Sequence, residues 1–512
     1  MQKILLLSLL IFSSISFAKT YDLEIKKHDV FITGRAVEAI AINGSIPGPT
    51  LRFKEGEDVV IKVKNSLDEK TSIHWHGLLL DGSMDGVPGL NGFHGIEPNT
   101  TFTYKFKVRQ KGTYWYHSHS NLQEQQGVYG SIVIEPSEVK ADREYVILLS
   151  DFTEENPDTI LNNLKIDSGY YNYNKRTLLT FFSDIKKNGF STTLKDYMDW
   201  GTMRMDPTDL ADVTHYHFLT NGKTAAQNWT GIFKKGEKVK LRFINASAMT
   251  IYDVSIPGLK MKLVEADGQP VKPVMIDEFR FGVAETYDVI VEPKEDKAYT
   301  IFAESIDRTG FARGTLAPKL GMEGKIPAMR PRATLTMADM AMGGHFGMDH
   351  DMSDMNMDDM KSGWAERTTP VGNKALEYSD LSSLHPQKDL RQPVREIEFK
   401  FGGSMNRYIW TINGEKFPKP FHLKFGERVR LKFTNETMMA HPIHLHGMFM
   451  QLENGNNMKW MPNKHTVIVP PAQTASLLLT ADESGEWAFH CHLLLHMASG
   501  MMTSVTVDKE VQ

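Results

Sequence analysis

No feature of this chain narrows the possible folds more than a pattern that it repeats three times. Each copy begins at an Asn-Gly pair: Asn43-Gly44, Asn221-Gly222 and Asn413-Gly414. Each then reaches a Gly-Glu turn, Gly56-Glu57, Gly236-Glu237 and Gly426-Glu427, which opens a run alternating apolar and charged residues. The runs end at Asn65, Asn245 and Asn435. A period of two is the signature of a half-buried strand. Copies 180 and 190 residues apart predict three domains of one kind, and 512 residues agree with that count at roughly 150 per domain. Long helical periodicity is scarce. Short strands divided by Gly, Pro and Asn turns predict an all-β chain of three Greek-key β-sandwich domains.

The repeat also locates the chemistry. Nine and eleven residues after Asn65 stand His74 and His76, and at the same offsets after Asn435 stand His444 and His446. The equivalent positions after Asn245 hold Val254 and Ile256. Downstream, Gly112 leads to His117 and His119 as Gly485 leads to His490 and His492. The first and third domains thus carry two His-x-His pairs each, and the middle domain reads as a spacer. In a strand, residues i and i+2 share a face, so each pair presents two imidazoles to one side. Eight imidazoles exceed the roughly four that one ion takes. They suit a cluster of several metals where the first and third domains meet.

Cys491 is the only cysteine of the chain, which excludes an intrachain disulfide and a zinc site built on several thiolates. It lies between His490 and His492 and so faces away from them. His441, three residues before His444, falls on the opposite face from His444 if its strand extends that far. His496 and Met501 follow closely enough to return to Cys491. Two imidazoles, a thiolate and a weak thioether describe a blue-copper electron-transfer site.

Residues 1–18 read as a secretory leader: Lys3, an apolar run from Ile4 to Phe12, then Ser16-Phe17-Ala18 before the expected cleavage. That run is too short to span a bilayer, and no later stretch reaches the roughly 20 apolar residues that a span needs. The expectation is a periplasmic, soluble monomer, exported unfolded and loaded with metal afterwards. A formal charge of -5 excludes a basic field for nucleic acid.

Taken together, His74-Trp75-His76-Gly77, His117-Ser118-His119, His441-Pro442-Ile443-His444-Leu445-His446-Gly447 and His490-Cys491-His492-Leu493-Leu494-Leu495-His496, followed by Gly500-Met501, resemble the four copper signatures of the three-domain multicopper oxidases. The match covers essentially the whole mature chain. Within that family, Met198-Asp199-Trp200, Met203-Arg204-Met205, Thr208-Asp209-Leu210 and Asn435-Glu436-Thr437-Met438-Met439-Ala440-His441 are similar to the bacterial copper-resistance oxidases. The resemblance implies cupredoxin-like sandwiches and four copper ions. It gives the type 1 copper His441, Cys491 and His496, with Met501 axial, and the type 2 copper His74 and His444. One type 3 copper takes His76, His117 and His492, and the other His119, His446 and His490. The implied reaction draws single electrons from a substrate at the type 1 copper and reduces dioxygen to water at the other three. Asp85 matches a family carboxylate that assists with protons, although Asp85-Gly86 also reads as an ordinary turn. Met497 stands where some relatives carry an acid, a departure that bears on the proton route.

Between Met337 and Met360, eight of twenty-four residues are methionine: Met337, Met340, Met342, Met348, Met352, Met355, Met357 and Met360. Six aspartates and two histidines accompany them. Such a stretch cannot bury a core and reads as a loop or linker, and its thioethers favour Cu(I). Met439, two residues before His441, could pass Cu(I) inward or simply pack. The expected organisation is domains over 19–140, 141–310 and 396–512, with 311–395 a linker. Three functions fit: oxidation of Cu(I) to Cu(II) by dioxygen for copper tolerance, laccase-like oxidation of phenols or other small organic reductants, and copper sequestration without turnover. A periplasmic copper donor is a further candidate partner. His94, His215, His217, His385, His422 and His465 have no assigned role.

Overall fold

The three Asn-Gly pairs form matching turns. Asn43, Asn221 and Asn413 have φ of 52°, 50° and 52°, and the following glycines 76°, 75° and 80°. Two successive left-handed residues make the tight turn that suits antiparallel strands, and Asn tolerates the first position because its short amide can bond locally. The amide oxygens of Asn43, Asn221 and Asn413 accept from the backbone N–H of Glu24, Leu148 and Lys400. Each turn is thereby tied to the strand that opens its domain.

The alternating runs are the strands Asp58–Asn65, Val239–Asn245 and Arg428–Asn435. Each lies parallel to that opening strand: Lys19–Val30, Arg143–Phe152 and Arg395–Ser404. Each also ends in a buried asparagine whose amide ties down the loop that follows. Asn65 Nδ2 donates to the carbonyls of Glu69 and Ile96, Asn245 Nδ2 to Thr250 and Phe281, and Asn435 Nδ2 to Met439 and Val469. In the first and third domains, those loops lead directly to the histidine strands.

The computed structural model describes residues 19–137, 139–172, 176–202, 210–332, 364, 369–370, 372–404 and 407–509. The leader 1–18, Met203–Met205 and the methionine-rich segment 337–360 lie outside the described residues. Six sheets, paired as four and four, seven and six, and six and five strands, form three cupredoxin-like sandwiches. No helix among the described residues is long and apolar enough to cross a membrane.

Three details depart from the sequence reading. The boundary expected at 310 falls inside the middle domain, because Phe311–Ala317 pairs antiparallel with Tyr299–Ser305. Beyond it, Ala375–Leu376 adds a further edge strand to the same sheet. The middle domain also inserts three helices, Pro157–Ile166, Leu178–Asn188 and Phe190–Thr202, which the all-β expectation did not include. Finally, Val239–Asn245 is buried on both faces rather than one. Its charged face meets a network in which Arg242 bonds Thr113 of the first domain and Glu144 and Asp288 of the second, while Lys240 bonds Glu265. A strand can bury charge on this scale because every charge finds a partner.

Candidate metal centre

The histidines sit on equivalent strands. In the first domain His74–His76 pairs with Gly112–His117, placing His74 opposite His117. In the third, His441–Leu445 pairs with Gly485–Cys491, placing His444 opposite His490 and Ile443 opposite Cys491. The middle domain builds the same strand as Tyr252–Ser255, whose Val254 is buried apolar core. Repeat offsets in the sequence have become shared sheet positions.

Four histidines from each outer domain converge. His76, His117 and His492 bring ligand nitrogens within 4.8 Å of one another, as do His119, His446 and His490, and His74, His444 and His446. The Nε2 atoms of His446 and His490 are 3.1 Å apart, and those of His119 and His490 3.4 Å. Two bonds of about 2.0 Å to one ion at a tetrahedral angle would separate their donors by about 3.3 Å. On the other face of the same strand, Cys491 Sγ lies 3.6 Å from His441 Nδ1 and 3.8 Å from His496 Nδ1. Those two nitrogens are 3.1 Å apart. Met501 is fully buried and folds back on this group: its N–H donates to the His496 carbonyl, and its carbonyl accepts from Cys491 N–H. Trp410 stacks on His496 at 3.8 Å.

The residues fit copper on their own chemistry. The Nε2 atoms of His74, His117, His444 and His492, and both ring nitrogens of His76, are buried without a hydrogen-bond partner. Orphaned buried nitrogens are costly, and a bound ion removes that cost. Burial and neighbouring imidazoles hold His76, His117, His444, His446 and His492 well below the usual histidine range, and burial pushes His490 down to about 4. They are therefore neutral and offer lone pairs. Burial raises the Cys491 thiol, so an ion must displace its proton. A thiolate beside two imidazoles selects copper over harder metals.

Carboxylates orient these rings. Asp85 joins the two outer domains: its carbonyl accepts from His74 Nδ1 at 2.8 Å, and its Oδ2 lies 2.9 Å from His446 Nδ1. The turn reading of Asp85-Gly86 holds as well, since Gly86 has φ +81° and a Cβ there would lie 1.8 Å from the Ile73 carbonyl. Gly86→Ala is accordingly expected to destabilise the first domain by more than about 1 kcal/mol, read as a lowered thermal midpoint. Two further carboxylates escaped the sequence reading. Glu124 lies 2.8 Å from His117 Nδ1, and Asp212 Oδ2 lies 2.7 Å from His496 Nε2 while accepting from the Tyr408 hydroxyl. No repeat offset marks either one. His465, left without a role, is buried against His76 and His444. Met439 is buried two residues before His441, and the eight methionines of 337–360 fall outside the described residues.

Comparison with known proteins agrees with this architecture. Family models described as multicopper oxidase match residues 24–139, 143–319 and 391–511. The chain is 47% identical to copper resistance protein A of Escherichia coli, over 96% of its own length and 92% of that protein's. It is 45% identical, with the same coverage, to copper resistance protein A of Pseudomonas syringae pv. tomato. The solved structure of Fet3p, a multicopper oxidase that functions in iron import, matches with a TM-score of 0.71 at 19% identity, covering 96% of this chain and 91% of that one, a likeness of fold. From its matched domains and its near-half identity to these relatives, the chain belongs to the multicopper oxidases.

Proposed function

We propose that this chain is a periplasmic oxidase that takes single electrons from Cu(I), producing Cu(II), and delivers them to dioxygen, which becomes water; copper tolerance is the outcome. One observation carries the oxidase reading. Cys491, in the triad with His441 and His496, is bonded through the chain to His490 and His492, which belong to two other triads. Storage of copper requires no such covalent continuity. Two considerations favour Cu(I) over an organic reductant: relatives named for copper resistance align along 96% of the chain, and eight thioethers crowd 337–360.

In this reading His441, Cys491 and His496, with Met501, hold the type 1 copper. His74 and His444 hold the type 2 copper, and the two type 3 ions take His76, His117 and His492, and His119, His446 and His490. Bound there, copper supplies one-electron oxidation at the first site and four-electron reduction of dioxygen at the cluster. The protein's own share is position and proton supply. Asp85 and Glu124 hold Nδ1 of His74, His446 and His117, which leaves the Nε2 lone pairs facing inward. Asp85 is the carboxylate placed beside the cluster to relay protons, a group that Met497 next to His496 does not provide. Asp212 fixes the ring of His496 through its Nε2. The methionines of 337–360 collect Cu(I), and Met439, two residues before His441, passes it inward.

Removing 337–360 from the copper-loaded protein tests the substrate. Cu(I) oxidation is expected to fall at least about tenfold, roughly 1.4 kcal/mol of barrier, with phenol oxidation kept or raised and the blue absorption unchanged. An unchanged rate with Cu(I) would overturn the cuprous reading in favour of an organic substrate. Copper bound by the intact chain without any blue absorption would leave sequestration as the better account.

A further inference from the structure

Resting on that assignment of copper to His76, His117 and His492, a ninth imidazole acquires a purpose. We infer that His465 is a positioning residue of the cluster: its Nε2 accepts a hydrogen bond from the nitrogen of His76 that faces away from the metal.

A neutral imidazole carries one N–H. When one nitrogen binds an ion, the other keeps the proton and, if buried, needs an acceptor. Most of the cluster meets this requirement visibly. Nδ1 of His74 is on the Asp85 carbonyl, that of His117 on Glu124, that of His444 on the His465 carbonyl, that of His446 on Asp85 Oδ2 and that of His490 on the Cys491 carbonyl. His76 differs. Both of its ring nitrogens are buried without a partner, so one is left over after metal binding.

His465 is built to receive it. Its ring stands edge-on to that of His76, with centroids 4.7 Å apart, and its ligand nitrogen lies within 4.8 Å of those of His76 and His444. Its Nε2 is likewise buried without a partner. His444 cannot serve His76, since its Nδ1 is taken and its Nε2 is a copper donor. The tautomer of His465 is set from its other side. Nδ1 is 3.0 Å from Thr466 Oγ1 and 3.5 Å from Asp267 Oδ2, both able to accept, which leaves the Nε2 lone pair free. Asp267 is itself immobilised: its Oδ2 accepts from the backbone N–H of His465 and Thr466, and its Oδ1 meets Lys464 Nζ at 3.1 Å. Gly77 makes the space, for a Cβ there would lie 2.6 Å from His465 Cδ2 and 2.8 Å from its Nε2. A middle domain without copper ligands thus sets, through a third-domain histidine, the orientation of a first-domain ligand.

A crystal structure of the copper-loaded full-length protein gives the direct test. The expected result is copper on one nitrogen of His76 and about 2.7–3.2 Å between the other nitrogen and His465 Nε2. Copper on His465 Nε2, or a different acceptor at His76, overturns the inference alone. Absence of copper from His76, His117 and His492 overturns the assignment beneath it. A second test compares His465→Leu with His465→Gln by resistance of the bound copper to a chelator. Loss of roughly 10–100-fold in Leu, largely restored in Gln, whose amide oxygen can accept, is expected, with the blue absorption kept in both. Equal loss in both variants, or loss in neither, rules the acceptor role out.

Discussion

Cys491→Ser is expected to abolish the blue absorption and to lower oxidation of Cu(I) and of phenols together, by more than the roughly 100-fold that loss of an outer partner costs a metal site. Serine fits the space, since Cys491 is fully buried and the hydroxyl is smaller. What changes is the donor: a hard oxygen replaces a soft, polarisable sulfur that can be deprotonated by the metal. His490 and His492 face away from Cys491 and the other six cluster histidines stand elsewhere in the sequence, so copper held there as proposed should remain and be countable in the variant. Blue absorption surviving in Cys491→Ser would show that the thiolate is no ligand. Its loss with Cu(I) oxidation intact would show that electrons reach dioxygen by another path.

The largest effect on stability is expected far from any copper ligand. Asp253 occupies the middle-domain strand that matches the histidine strands of its neighbours. Its carboxylate is fully buried, with Arg280 Nε at 2.8 Å and Arg308 Nη2 at 2.5 Å, and Arg330 Nη2 at 3.5 Å. Arg330 would keep Glu278 and Glu304, and Arg308 would keep Glu304, but Arg280 would lose both of its bonds to a buried carboxylate, so Asp253→Ala is expected to cost about 3–5 kcal/mol. Calorimetry should show a lower unfolding transition, while the copper spectra of the folded protein stay as they were. Three guanidinium groups hold the Asp253 carboxyl well below the usual carboxylate range, although burial alone would raise it. A depressed carboxyl stabilises the fold above its unfolded pKa of about 3.9 and loses that contribution as pH falls towards its folded value. The difference between wild type and Asp253→Ala should therefore be constant from neutral pH to about 5 and narrow only below about 4. A difference that vanished already at pH 6 would remove Asp253 from this role.

Much of the architecture was legible because local chemistry repeats. Asn43, Asn221 and Asn413 need left-handed backbone, and Asn65, Asn245 and Asn435 each clip a loop, so strands and offsets could be counted from the letters. Convergence of the eight histidines followed from those offsets, and the opposite facing of Cys491 from strand parity. The partners of the ligands were not legible. Asp212 and Asp267 act across tertiary contacts that no spacing encodes: Asp212 and Tyr408, for example, meet from 196 residues apart, while Glu124 reaches His117 through a run of turns that has no periodic pattern. His465 looked like any other histidine because its significance lies in a neighbour's unfilled nitrogen. The domain edge at 310 was misplaced for a related reason. Phe311–Ala317 belongs to the middle sandwich through pairing with Tyr299–Ser305, and its own composition resembles that of a connecting segment.

The division of the histidine cluster between the two ends of the chain would also make ions bound there, as proposed, a cross-link. His119 and His446 are more than three hundred residues apart, and an ion held between them as proposed would close that whole length into one loop. The entropy of closing a loop grows only with the logarithm of its length, yet for a loop this long it is on the order of 5 kcal/mol. Metal occupancy and the seating of one end of the chain on the other are therefore a single linked equilibrium: whatever strips the ions also loosens the contact, and whatever pries the ends apart releases the ions.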